Sequence, residues 1–149
     1  MARKQGSNEL AVALALAQLK QMLDGAASEL SLGREHSAGT LAIAGAVRAS
    51  DLICDVKLGS HSVAASHTKA EDLLGGIAGY EHFVEDFSVC RVRKTEFNYH
   101  ASGLTIEDAR EVLDCASHLA LEAVRLVVSA GWVPEYESER EYQFPTTHI

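Results

Sequence analysis

The segment from Thr105 to Gly131 carries the clearest structural signal in the sequence, because it has the periodicity of an amphipathic helix with a marked beginning. Thr105 stands at the N-cap position, and Asp108 stands three residues later, where a capping box places its second polar side chain. Apolar residues then recur every three or four positions: Val112, Ala116, Leu119, Ala123 and Val127. This spacing predicts a helix that packs one face into a core.

The rest of the chain follows the same helical pattern, with few alternating runs of the kind that strands need. Four further helices are predicted at about 8–24, 35–58, 67–75 and 80–94, and Gly25 is expected to end the first. The sequence therefore predicts an all-α fold, an antiparallel bundle of about five helices in one domain spanning 1–131. Residues 132–149 are charged and dotted with aromatic residues, and are expected to form an extended C-terminal tail that docks through Tyr136, Tyr142 and Phe144.

Composition narrows the classes of function. The chain has 149 residues, and its 13 Lys and Arg against 21 Asp and Glu give a net charge of −8. An acidic chain argues against a broad nonspecific nucleic-acid-binding face, although a local basic site remains compatible with it. No signal peptide or membrane span is predicted, so the chain is interpreted as cytoplasmic. Its three cysteines form no metal-binding spacing, and no metal or other cofactor is expected.

The densest positive charge in the interior of the chain lies just before the last predicted helix. Arg91, Arg93, Lys94, Tyr99 and His100 fall within ten residues. Arginine and lysine can hold a phosphate, and a histidine with a pKa near 6.5 can move a proton at neutral pH. The segment is thus a candidate site. The alternative is that these cations lie in solvent at the C-terminal end of a helix, whose dipole favours positive charge.

A carboxylate interrupts the apolar stripe of the second predicted helix. Asp51 falls on the line of Ile43, Val47 and Cys54, where burial is costly unless hydrogen-bond donors are present. Asp51 is therefore predicted to be buried and hydrogen-bonded, either holding a neighbouring loop or orienting a nearby His or Arg. The alternative is a surface charge relay along the helix, since Arg48 and Asp55 lie three residues before and four residues after Asp51. His67, at the start of the third predicted helix, is a second candidate supporting residue.

Two segments, Ala42 to Leu74 and Val92 to Ala123, resemble the HEPN superfamily of small all-helical domains. The first resembles its Ala-rich second helix and short third helix, and the second resembles the segment that carries its motif, an Arg followed after four to six residues by a His. Arg93-KTEFNY-His100 has this spacing. The resemblance implies a homodimer that acts on RNA or nucleotides, and in its catalytic form a metal-independent endoribonuclease of a stress, defence or toxin–antitoxin system.

The resemblance also implies roles for individual residues. Arg93 and His100 are the expected catalytic pair, the arginine stabilising charge on the phosphate and the histidine transferring a proton. The expected substrate-binding residues are Lys94, Tyr99 and Arg91, with Asp51 and His67 in support. The alternative is a non-catalytic helical module that binds a partner protein through a groove or through its tail.

Overall fold

Five α-helices account for most of the chain in the computed structural model, which describes residues 5–59, 61, 67–99, 105–132 and 143–145, with only the backbone given for 5–9, 67–68 and 95–99. The helices are α1 (Gln5–Ser31), α2 (Glu35–Leu58), α3 (His67–Gly75), α4 (Glu81–Tyr99) and α5 (Ile106–Ser129). They pack as a bundle, and no strand occurs among the described residues, so the predicted all-α bundle is confirmed. No helix in these ranges combines the length and apolarity that a membrane span requires.

Helix α1 continues through Gly25, so the prediction that this glycine ends the helix is wrong. The glycine instead lies where α1 meets α2. A Cβ atom added to Gly25 would stand 3.2 Å from Cδ1 of Leu41, and one added to Gly45 on α2 would stand 2.6 Å from Cδ2 of Leu23. Both glycines therefore serve close helix packing rather than termination.

The end of α1 is formed by a different glycine, in a Schellman motif. Gly33 has a φ of 73°, and its N–H donates to the carbonyl of Leu30. The N–H of Arg34 reaches back to the carbonyl of Glu29 at 2.9 Å. A positive φ suits glycine because it has no Cβ atom, so the chain turns here and α2 begins at Glu35.

Helix α5 begins with the predicted capping box. The hydroxyl of Thr105 accepts from the N–H of Asp108 at 3.1 Å, and the N–H of Thr105 donates to Asp108 Oδ2 at 3.0 Å. The apolar face of α5 is buried in the core of the bundle together with residues of α1 and α2. Fully buried side chains of this core include Leu16, Leu19, Leu23, Ile53, Val112, Leu113, Leu119 and Val127.

Three free cysteines lie on three different helices: Cys54 on α2, Cys90 on α4 and Cys115 on α5. Cys54 and Cys90 are buried, whereas Cys115 is partly exposed. Burial raises the pKa of Cys54 to about 11 and that of Cys115 to about 12, and it also raises the pKa of Cys90 well above the usual value. All three side chains are therefore neutral thiols at neutral pH.

A short piece of the C-terminal segment, residues 143–145, packs on the bundle between α1 and α5. Phe144 is buried there, with 9% of its surface exposed. Lys20 Nζ donates to the carbonyl of Gln143 at 2.6 Å, and the hydroxyl of Ser117 donates to the carbonyl of Pro145 at 2.7 Å. One aromatic ring and two backbone carbonyls thus attach this piece to two helices. Tyr136 and Tyr142 lie outside the described residues.

Candidate functional site

The cationic segment singled out in the sequence forms the C-terminal half of α4. The helix was predicted to end near Lys94, but it continues to Tyr99. Successive residues of an α-helix point about 100° apart. Arg91, Arg93 and Lys94 therefore face three different neighbours, and the cluster in the sequence is not a cluster of charge in space.

Arg91 faces α3. Its Nε lies 2.5 Å from Oε2 of Glu71, and the two side chains are 35% and 16% exposed. The pair links α4 to α3, which also contributes Ala70 and Leu74 to the core. Because the guanidinium is occupied by a partly buried carboxylate, Arg91 acts as a structural contact and offers little free charge to a substrate.

Arg93 faces the beginning of α5. Its Nη2 lies 3.2 Å from Asp108 Oδ1 and 3.6 Å from Glu111 Oε1. Glu107 and Asp114 line the same acidic end of α5. The two carboxylates that contact the guanidinium offset its positive charge, which disfavours the approach of a phosphate to Arg93.

Lys94 faces a third direction and lines a groove of about 380 Å³ with α1 and α2, which we call the α1–α2–α4 groove. Lys94 forms no ion pair with any residue that the structure describes. Arg48 contributes the second cation of this groove. The remaining lining residues are Met22 from α1 and Thr40, Ile43, Ala44, Val47 and Asp51 from α2.

Asp51 lies half-buried in the wall of the α1–α2–α4 groove, so two of the residues selected from the sequence, Lys94 and Asp51, line one cleft. Burial raises the pKa of Asp51 to about 6; His61 and Arg48 oppose the rise, and Asp55 adds to it. Within the described part of the chain no side chain or N–H donates a hydrogen bond to the carboxylate of Asp51. The expected burial is thus partial, and the expected hydrogen bonds are not formed with these residues.

The other selected residues are described in part or not at all. His67 begins α3, as predicted, and Tyr99 ends α4, but the side chains of both lie outside the described residues. His100 lies outside them altogether. The pairing of Arg93 with His100 accordingly stays a prediction.

A polar network that the sequence did not indicate joins α5, the residue before α4 and the end of α2. The hydroxyl of Tyr80 donates a short hydrogen bond to Glu122 Oε2. Arg125 donates to both oxygens of Glu122, through Nε at 2.7 Å and Nη2 at 2.6 Å. Lys57 Nζ lies 5.9 Å from the centre of the Tyr80 ring. Only the i, i+3 spacing of Glu122 and Arg125 hinted at a pair in the sequence.

A shallower cleft of about 400 Å³ lies between α4 and α5 and contains His82, Asp86 and His118. His118 Nδ1 lies 3.5 Å from Asp86. Across the described ranges, no three His, Cys, Asp or Glu side chains are arranged to hold a metal ion. The α1–α2–α4 groove is therefore the stronger candidate site, because it joins an apolar floor to two cations and a half-buried carboxylate.

Comparisons of the chain with models of known families, with curated proteins and with solved structures found no significant match. The likeness to the HEPN superfamily accordingly stays an expectation drawn from the sequence.

Proposed function

We propose that this protein is a HEPN-like helical bundle that binds nucleotides or short stretches of RNA in the α1–α2–α4 groove. The observation that carries the proposal is the meeting of Lys94 from α4 and Arg48 from α2 at one groove with an apolar floor. Two cations at the rim suit a phosphate, and aliphatic side chains below them suit the face of a base.

The size of the groove agrees with a small ligand. Its volume of about 380 Å³ lies within the range of roughly 300–1,000 Å³ that is typical of small-molecule sites. Ile43 and Val47 stand one helical turn apart and form an apolar strip on which a planar ring can rest. The net charge of −8 means that binding has to be local, at these two cations, rather than spread over the surface.

Replacing Lys94 or Arg48 by glutamine is expected to weaken the binding of a nucleoside monophosphate about tenfold each, the loss of one charge-assisted contact to phosphate. Isothermal titration at low salt measures this directly. Arg34→Gln is the matched control: it removes the same charge from an arginine whose side chain is 63% exposed, pairs with Glu29 and does not line the groove. Equal loss in all three variants would indicate a nonspecific charge effect, and no binding by the wild type would remove the proposal.

Cleavage of RNA would require His100 and Arg93 in addition to binding in the groove. Arg93 is held by Asp108 and Glu111, so in this arrangement its charge is largely offset within the chain. A cleavage assay on mixed single-stranded RNA, with wild type and His100→Ala at matched folded concentrations, tests for ribonuclease activity. Cleavage lost in His100→Ala with binding retained supports a metal-independent ribonuclease, whereas binding without cleavage in the wild type leaves a nucleotide- or RNA-binding protein.

A second candidate function, a protein-interaction module, is supported by the outer face of α1. Leu10 and Leu14 lie one turn apart and are 67% and 57% exposed, so they are adjacent exposed apolar side chains rather than singly scattered ones. The same face could join two copies of the chain in the homodimer that the resemblance implies.

Light scattering at micromolar concentration is expected to give twice the chain mass of 16.0 kDa for the wild type. Leu14→Glu should return the mass to that of one chain, because it places a charge in the interface. Leu121→Glu, which makes the same change at an exposed leucine on α5, serves as the control. A wild type that runs only as a single chain would contradict the homodimer and leave α1 for a different partner.

A further inference from the structure

Asp51 continues the apolar strip of the α1–α2–α4 groove. Ile43, Val47 and Asp51 follow one another at a spacing of four residues along α2, and all three line the groove. A planar ring that rests on the two aliphatic side chains therefore directs one edge towards the carboxylate.

The carboxylate has acceptor capacity to offer a ligand. An ionised carboxylate accepts hydrogen bonds and donates none, and none of the described residues donates one to Asp51. The charged groups around it are Arg48 and Asp55 on α2, His61 after α2, and Lys94 across the groove on α4, while α1 contributes the uncharged Met22. His61 is already engaged, since its Nδ1 lies 2.8 Å from Asp55 Oδ1.

We propose that the groove selects guanine nucleotides, with Asp51 accepting from the N1–H and the 2-amino group of the base while Lys94 and Arg48 hold the phosphate. This inference rests on the proposed nucleotide-binding function and adds the identity of the base. Guanine presents two adjacent N–H donors, which match the two oxygens of one carboxylate. Adenine and cytosine present an amino group beside an acceptor nitrogen, and uracil presents one N–H between two carbonyls, so each sets a lone pair against a carboxylate oxygen.

The test compares dissociation constants of GMP, IMP, AMP, UMP and 2′-deoxy-GMP for the wild type and for Asp51→Asn. For the wild type, GMP is expected to bind at least about tenfold more tightly than AMP and UMP, with IMP in between because it lacks the 2-amino group. The 2′-deoxy form should bind like GMP. The Asp51→Asn variant should lose most of the preference for GMP while keeping its affinity for AMP, since the asparagine amide offers one acceptor oxygen in place of two.

The pH dependence of nucleotide affinity tests the role of Asp51 in the wild type, without a variant. The ratio of GMP to AMP affinity should fall between about pH 7.5 and about pH 5, because protonation of Asp51, whose pKa is about 6, removes an acceptor. The phosphate of a nucleoside monophosphate also titrates in this range, but it does so in both ligands and cancels from the ratio.

Each outcome bears on a different claim. Similar affinity for all bases overturns the guanine preference and leaves nucleotide binding in place. A loss of affinity for 2′-deoxy-GMP without a base preference means that Asp51 contacts the ribose, which also overturns the inference. No binding of any nucleotide removes both the inference and the function on which it rests.

Discussion

Glu122→Ala is expected to lower the free energy of unfolding by about 3 kcal/mol, as for a buried carboxylate removed from its donors. Glu122 is 7% exposed and is the common acceptor for Tyr80 and Arg125. Its loss strands the Tyr80 hydroxyl in a residue that is only 6% exposed. Arg125 contributes less to this loss, because its side chain is 61% exposed and water screens its charge. Urea unfolding followed by circular dichroism measures the difference.

Three variants separate the parts of this network. Arg125→Gln removes only the exposed partner and should cost about 1 kcal/mol or less. Tyr80→Phe removes the hydroxyl and keeps the ring, and the double variant Tyr80→Phe/Glu122→Gln should cost less than the sum of its single changes, because it removes both ends of one hydrogen bond. Strictly additive losses would contradict the network.

The same carboxylate makes stability depend on pH. Burial alone would raise the pKa of Glu122, but hydrogen bonds from Arg125 and Tyr80 outweigh burial, so the pKa lies below its usual value of 4.5. A carboxylate with a pKa lowered in the folded state adds stability above its unfolded pKa and loses it as the pH falls through the folded pKa. The stability difference between wild type and Glu122→Gln should thus be full at neutral pH and shrink below about pH 4.5.

Phe144→Ala is expected to cost about 3 kcal/mol, the lower end of the range for deleting a buried phenylalanine ring. The ring is 9% exposed and is held between α1 and α5 by hydrogen bonds on both sides. The loss cannot exceed the free energy with which the C-terminal segment docks, since the bundle can release that segment. A chain that stops after Tyr142 should therefore lose at least as much as Phe144→Ala.

Ser117→Ala serves as the control for Phe144→Ala, because it weakens the attachment of the same segment without removing the ring. It removes the hydroxyl that donates to the Pro145 carbonyl and should cost about 1 kcal/mol, the scale of one neutral hydrogen bond. Thermal melts of the three variants place these losses in order. A Phe144→Ala variant that melts like the wild type would show that the segment contributes nothing to the stability of the bundle.

Local signals in the sequence predicted much of the fold. The bounds of α2 and α3 agree with the prediction, as does the capping box of Thr105 and Asp108, because these features depend on residues within one or two turns. The prediction failed at Gly25, whose role is decided by Leu41 on another helix. A glycine in a helical pattern marks either an end or a close approach, and only the tertiary contact distinguishes the two.

The site was harder to predict for a related reason. The density of cations near Arg93 was visible in the sequence, but the neighbour that each cation meets depends on how α4 packs against α2, α3 and α5. The end of α4 was also misjudged by five residues: Lys94 was predicted and Tyr99 is observed. The groove partner of Lys94 lies on α2, about forty positions away along the chain. Glu122 gave no sign of its burial, because a single charged residue beside an apolar stripe normally faces water.

The three cysteines provide the bundle with its own reporters of opening. Cys54, Cys90 and Cys115 sit on α2, α4 and α5, and burial keeps each thiol protonated, so an alkylating reagent at neutral pH reacts with them slowly while the helices stay packed. The rates at which the buried Cys54 and Cys90 are alkylated therefore measure how often α2 and α4 separate from the rest, whereas the partly exposed Cys115 gives a rate that needs no such opening. Mass spectrometry of the labelled peptides turns an ordinary wild-type sample into a map of which helix leaves first.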